Sequence, residues 1–286
     1  MAFDPQALLA LDIAETEQTY DWRDCALYAL GVGVGMDPMD ERQLAFVDES
    51  RLAVLPTMAT ILGYSGFWVE QLPTGIDMLH VLHGEQGLRV EAPLPVCGTI
   101  RRKTRVTGIV DKGADKGALV QVAETIADDA TGALLATLTS TIMCRGDGGK
   151  GGTGAASIAP HAIPDRAPDG TIAIPGSPQQ ALIYRLSGDL NPLHADPTIA
   201  RAAGFPGPVL HGLATYGMAC QVLLRALCDG DVARFRALDV RFTRPVFPGE
   251  ALDLAYWIER PGLAAFQVRA RDRDILAIDN GRFAFS

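Results

Sequence analysis

Apolar and polar residues alternate through residues 99–110, 118–128 and 133–143, with turn residues at Asp111-Lys112-Gly113 and Thr131-Gly132 between them. A period of two bounded by such turns predicts a three-strand antiparallel meander. The pattern returns at residues 251–259, 264–270 and 275–285, divided by Pro261-Gly262 and a turn near Asp272. A Pro-Gly corner precedes each set, Leu94-Pro95-Val96-Cys97-Gly98 in the first and Arg244-Pro245-Val246-Phe247-Pro248-Gly249 in the second. This weak echo predicts an internal duplication.

Between the two meanders the period changes. Over residues 212–228, Leu213, Tyr216, Cys220, Leu223, Leu224 and Leu227 fall on one helical face, long enough for a helix buried against a sheet. A sheet wrapped around one long helix is the hot-dog architecture, and two copies would fill the chain. The expected fold is therefore α+β, a double hot-dog with two antiparallel sheets, each around a long central helix. The stretch from Arg145 to Gln180 is rich in glycine and proline, which excludes a helix or a central strand there. It divides the chain into a unit at 1–145, a linker at 146–176 that crosses the surface, and a second unit at 177–286.

Composition narrows the function. Among 286 residues, 48% are hydrophobic and 21% charged, so an ordinary core is expected without disulfides or metal. A net charge of −9 argues against nucleic acid or an anionic membrane as the main partner. Cys25, Cys97, Cys144, Cys220 and Cys228 are scattered, with no C-x-x-C pair, and read as reduced thiols. With no signal-like N-terminus and no long apolar run, the expectation is a cytoplasmic protein.

The candidate chemistry lies just after the linker. Ser177-Pro178 reads as a helix start, and Gly188 sits where a helix end belongs. Asp189-Leu190-Asn191-Pro192-Leu193-His194 then leads to a second start at Asp196-Pro197, so Asp189 and His194 lie on a tight connection between two capped helices. A carboxylate and an imidazole that meet at one water can hold it and exchange protons with it, as addition of water to an activated double bond requires. Asn191 is placed to orient one of the pair. Composition alone serves a blander reading equally well, with Asp189 capping a turn and His194 a half-buried histidine. A metal held by Asp189, His194 and Asp196 is a third and weaker possibility. Further on, His211-Gly212-Leu213 opens the long helix, where the Gly212 N–H could receive a developing oxyanion; taken singly, Gly212 reads as close packing and His211 as a cap or core residue.

Together these residues are more specific. Residues 184–194, Tyr184-Arg185-Leu186-Ser187-Gly188-Asp189-Leu190-Asn191-Pro192-Leu193-His194, followed by Ala203-Gly204-Phe205, Pro208 and His211-Gly212-Leu213, resemble the signature of R-specific enoyl-CoA hydratases (hydratase 2) and MaoC-like dehydratases. The likeness extends to Leu82-His83-Gly84-Glu85-Gln86, Asp111-Lys112-Gly113 and Val240-Arg241-Phe242, covering nearly the whole chain in a duplicated form. It implies reversible hydration of a trans-2-enoyl-CoA to the (3R)-3-hydroxyacyl-CoA, with Asp189 and His194 as the catalytic pair, Asn191 in support and Gly212 as the oxyanion donor. It also implies substrate contacts from His83, Gly84, Lys112 and Phe242, an acyl-CoA partner, no cofactor, no metal and a homodimer. The first half lacks the D-x-N-P-x-H loop, so it resembles a copy that lost catalysis and binds the acyl chain.

Other signals are weaker. Gly31-Val32-Gly33-Val34-Gly35 lacks the context of a dinucleotide fingerprint and reads as a helix end. Arg101-Arg102-Lys103 with Arg105 could meet coenzyme A phosphates or form a solvated strand face. A thioesterase or a non-catalytic acyl-CoA binder on the same fold remains open at this point, because fold does not fix function.

Overall fold

The structure, a computed structural model, describes residues 2–64 and 66–286. Among them ten strands form one antiparallel sheet: β1 (Thr16–Tyr20), β2 (Val81–Val90), β3 (Gly98–Asp111), β4 (Ala118–Asp128), β5 (Leu134–Cys144), β6 (Gly170–Ile174), β7 (Phe235–Phe242), β8 (Leu252–Arg260), β9 (Leu263–Ala270) and β10 (Ile275–Phe285). Their order is β1-β3-β4-β5-β2-β7-β10-β9-β8-β6. The predicted meanders are β3 to β5 and β8 to β10. The two half-sheets fuse where β2 pairs with β7, from Glu85 opposite Arg241 to Arg89 opposite Ala237.

The second half follows the expected plan. Its long helix spans Gly212–Cys228, lies against the sheet, and fixes itself there through Tyr216, whose hydroxyl donates to the Leu238 carbonyl at 2.7 Å. The first half keeps the curved sheet but breaks the helix. Its interior holds the ten-residue helix Trp22–Gly31, a 3-10 turn at Pro56–Thr60 and shorter pieces. Gly63 takes φ 69° just after that turn, and a Cβ there would lie 2.9 Å from the Arg102 Cβ. Arg102 also removes the carbonyls a helix would need, donating to Thr60 O at 3.0 Å and Leu62 O at 3.1 Å while pairing with buried Glu124 at 2.6 Å. Arg102 thus points inward and is no part of a solvated basic face, whereas Arg101, Lys103 and Arg105 are exposed.

The halves share one large core, in which Tyr28, Met58 and Leu62 of the first belong with Leu223 and Phe266 of the second. The helix Trp22–Gly31 ends against the second half, with Gln180 Nε2 donating to the carbonyls of Leu30 (3.1 Å) and Gly31. Such a side chain satisfies helix-end acceptors that burial would otherwise leave without partners. Gly31 is followed by Gly33 and Gly35 at φ 83° and 84°, a helix end and turn as expected.

The stretch expected to be a plain surface linker is more structured than its composition suggests. Residues 170–174 form the edge strand β6 on β8. The glycine run is pinned to the end of β3, where the Asp111 carboxylate accepts N–H groups of Gly149 and Gly151, both at 2.8 Å. A Cβ on Gly148 would lie 2.1 Å from the Gly113 carbonyl oxygen, so here glycine permits a close backbone approach.

Candidate active site

Two short helices deliver the loop. The first, Gln180–Tyr184, runs into a 3-10 turn at Arg185–Ser187 and stops at Gly188, whose φ of 137° few other residues adopt. Ser177 starts the preceding turn and does not cap the helix directly. After Asp189, Asn191 caps the 3-10 turn Pro192–His194 by accepting the Leu193 N–H at 3.0 Å, and Asp196 caps the helix Pro197–Ala202. Asn191 therefore supports the loop backbone. Its own N–H donates to the Asp189 carboxylate at 3.2 Å, while its side chain is committed to the turn.

The loop brings Asp189 and His194 together with a third group, His211. One ligating atom from each lies within 4.8 Å of the others. His194 Nδ1 is 2.7 Å from the Val209 carbonyl, so this nitrogen carries the proton and Nε2 keeps its lone pair. Burial pushes the His194 pKa down, which preserves a base at neutral pH. His211 is fully buried at the foot of the long helix, its Nε2 donating to the Asp189 carbonyl at 3.1 Å. Its ring stacks on His194 at 3.6 Å between centroids and meets Tyr184, tilted by 51°, at 4.8 Å.

Three such groups suggest a metal, but the orientation does not suit one. The imidazole planes are only 26° from parallel, so in-plane lone pairs run side by side and do not converge, and one nitrogen of each ring is already bonded to a carbonyl. Asp196 is occupied as a helix cap, accepting the Thr198 N–H at 2.7 Å.

The helix N-terminus behind this cluster has no side-chain cap, which leaves the Gly212 N–H facing outward from the first turn. A Cβ at Gly212 would touch the Phe242 ring at 3.4 Å. Phe242 in turn meets His83 edge-on at 5.0 Å across the β2–β7 seam. Gly84 lies beside His83 at a register shift, where a Cβ would press on the Thr141 carbonyl at 3.1 Å. The structure thus gathers His83, Gly84 and Phe242 next to Gly212. Lys112 is not drawn into these contacts; it is exposed beyond the end of β3, with Nζ 3.4 Å from the Ser157 hydroxyl.

Tyr64 carries no signal in the sequence. It comes from the first half, and a Cβ on Gly188 would lie 4.0 Å from its ring. Burial and the Asp189 charge raise its pKa. No periodic pattern marks it, because it follows Gly63 in an irregular stretch. An open cleft of about 410 Å³ reaches His194 between Leu182, Pro206, Pro208 and Phe247.

Residues 160–276 match the model of the MaoC like domain, and residues 18–146 match that of the MFE-2 hydratase 2 N-terminal domain. An enoyl-CoA hydratase of Mycobacterium tuberculosis is 41% identical over 98% of both chains. The peroxisomal enoyl-CoA hydratase 2 of Arabidopsis thaliana is 36% identical over 96% of this chain and 94% of its own. In structure, a MaoC-like dehydratase from Phytophthora capsici superposes with a TM-score of 0.88 at 35% identity, over 99% of each chain. No helix among the described residues is long and apolar enough to cross a membrane. The chain belongs to the MaoC-like dehydratase family, in the duplicated hydratase 2 form with a double hot-dog fold.

Proposed function

We propose that the protein hydrates trans-2-enoyl-CoA thioesters to (3R)-3-hydroxyacyl-CoA and catalyses the reverse dehydration. The observation that carries this reading is the convergence of Asp189 and His194 beside an uncapped helix N-terminus. A water held by the carboxylate and by His194 Nε2 bonds through its oxygen to C3 and gives up a proton to the pair. The double-bond electrons move onto the thioester oxygen, which accepts a hydrogen bond from Gly212 N–H. C2 then takes a proton from the pair as the carbonyl re-forms, so the pair ends as it began. No redox cofactor or metal enters this scheme.

Residues 177–286 carry the chemistry in this reading, residues 146–176 connect, and residues 1–145 hold the acyl chain. His83, Gly84 and Phe242 border the reacting centre, while Lys112 faces the coenzyme A end. A homodimer in the cytoplasm is the expected working form, and the five free cysteines suit a reducing compartment.

The test is product analysis with crotonyl-CoA. Loss of the enoyl absorbance, with only the (3R)-hydroxy product oxidised by an R-specific dehydrogenase, is expected. Release of free thiol would make the protein a thioesterase; an unchanged substrate would make it a binder.

A further inference from the structure

His211 has no part in the proton transfers just described, yet it touches both residues that make them, His194 by its ring and Asp189 by its backbone carbonyl. Its Nε2–H holds the Asp189 carbonyl, and its ring covers one face of His194 at 3.6 Å. As the residue preceding the long helix it has no capping bond, and its Nδ1 is buried without a hydrogen-bond partner. A buried imidazole left half satisfied costs free energy, so a purely structural role would be better filled by an apolar ring. We propose that His211 is a positioning residue for the hydration reaction, fixing the Asp189 backbone by its hydrogen bond and shielding His194 by its stacked ring. The proposal rests on the function given above.

The environment supports a neutral His211. The groups that face it are His194, the Asp189 backbone and carboxylate, Arg185 and the Tyr184 ring. Burial first, then the charge of His194, lowers its pKa to about 4. When His194 accepts a proton in turnover, a neutral aromatic face remains against the imidazolium, and no second cation competes for the proton. His194 itself sees Asp189, Arg185 and the Val209 carbonyl, with burial as the chief cause of its lowered pKa. Removing the covering ring should therefore let its pKa climb back toward the ordinary value.

Three variants separate the two tasks. His211→Phe keeps the stacked face and loses the bond to Asp189; kcat should fall roughly tenfold, the worth of about one hydrogen bond, with KM and the acid limb of the pH profile unchanged. His211→Gln offers an N–H to the Asp189 carbonyl without the ring; it should recover most of kcat while the acid limb moves to higher pH. His211→Ala should show both defects. An NMR titration of the His194 imidazole in the wild type and the Ala and Phe variants reads the shielding without any substrate, so it stands apart from the identity of the reaction. Circular dichroism confirms folding, and the near-isosteric Phe variant serves if the smaller ones unfold. Full activity in His211→Phe, or a His194 titration that does not move in His211→Ala, would overturn the proposal.

Discussion

The two halves of the sheet treat the same interior space differently. In the second half a continuous 17-residue helix fills it, and the helix start, left uncapped, faces the Asp189 loop. In the first half the space is crossed by a 3-10 turn whose last carbonyl, that of Thr60, and the Leu62 carbonyl just beyond it are taken by Arg102, which is neutralised by Glu124. A long helix projects its first N–H groups at one point, which suits an oxyanion site; a broken one spends its polar groups locally. The difference supports the proposal that the second half carries the chemistry and the first holds the acyl chain.

The sharpest way to break this comparison is to disable the half proposed to react. Asp189→Asn and His194→Ala should each lower hydration by about two to four orders of magnitude, with circular dichroism unchanged, because both side chains sit on a half-exposed loop. If the double variant retained turnover that vanished on a further change at His83, the first half would hold a second site. The next largest effect concerns stability in the first half. Arg102→Met leaves Glu124 buried without its partner and should cost about 3–5 kcal/mol by denaturant unfolding, most of it recovered in Arg102→Met with Glu124→Leu.

Two glycines of the long helix divide activity from packing. A Cβ at Gly217 would lie 2.4 Å from Val32 and 2.9 Å from the Tyr28 hydroxyl, so Gly217→Ala should destabilise by about 1–3 kcal/mol in a thermal melt. Gly212→Ala meets only an ordinary contact with Phe242 and should keep its melting temperature while losing rate. The smallest effect locates the acyl chain. With the chain in the first half, Tyr64→Trp should raise KM for a long enoyl-CoA more than for crotonyl-CoA, since each displaced methylene forfeits about 0.8 kcal/mol. If Leu182→Trp, in the second-half cleft, shows that chain-length dependence instead, the acyl chain belongs there.

Elements with strong periodicity were legible in the sequence. The long helix and the meander strands appear where alternation and the helical face placed them, within a residue or two. The capped loop was legible too, because Gly188, Pro192 and Asp196-Pro197 constrain the backbone locally. What the sequence hid depends on tertiary partners. Arg102 sits in a run of basic residues and looks solvated, yet Glu124 on the neighbouring strand draws it inside. Strands β1 and β6 are short edge segments whose pairing comes from β3 and β8. The proton position on His194 is set by a backbone carbonyl, that of Val209, which no side-chain pattern can reveal.

The seam between β2 and β7 has a consequence for how the chain is assembled. Glu85 and Arg241 pair across it at 2.6 Å, and a Cβ on Gly87 would collide with Asp239, so the join is specific in register as well as in charge. Because a single polypeptide carries both sides, each half meets its counterpart at an effective concentration on the order of millimolar or above, whatever the amount of protein in solution. Their stoichiometry cannot drift. A tethered pair of this kind lets the two halves diverge independently, because no exchange of subunits can pair either half with a copy of itself.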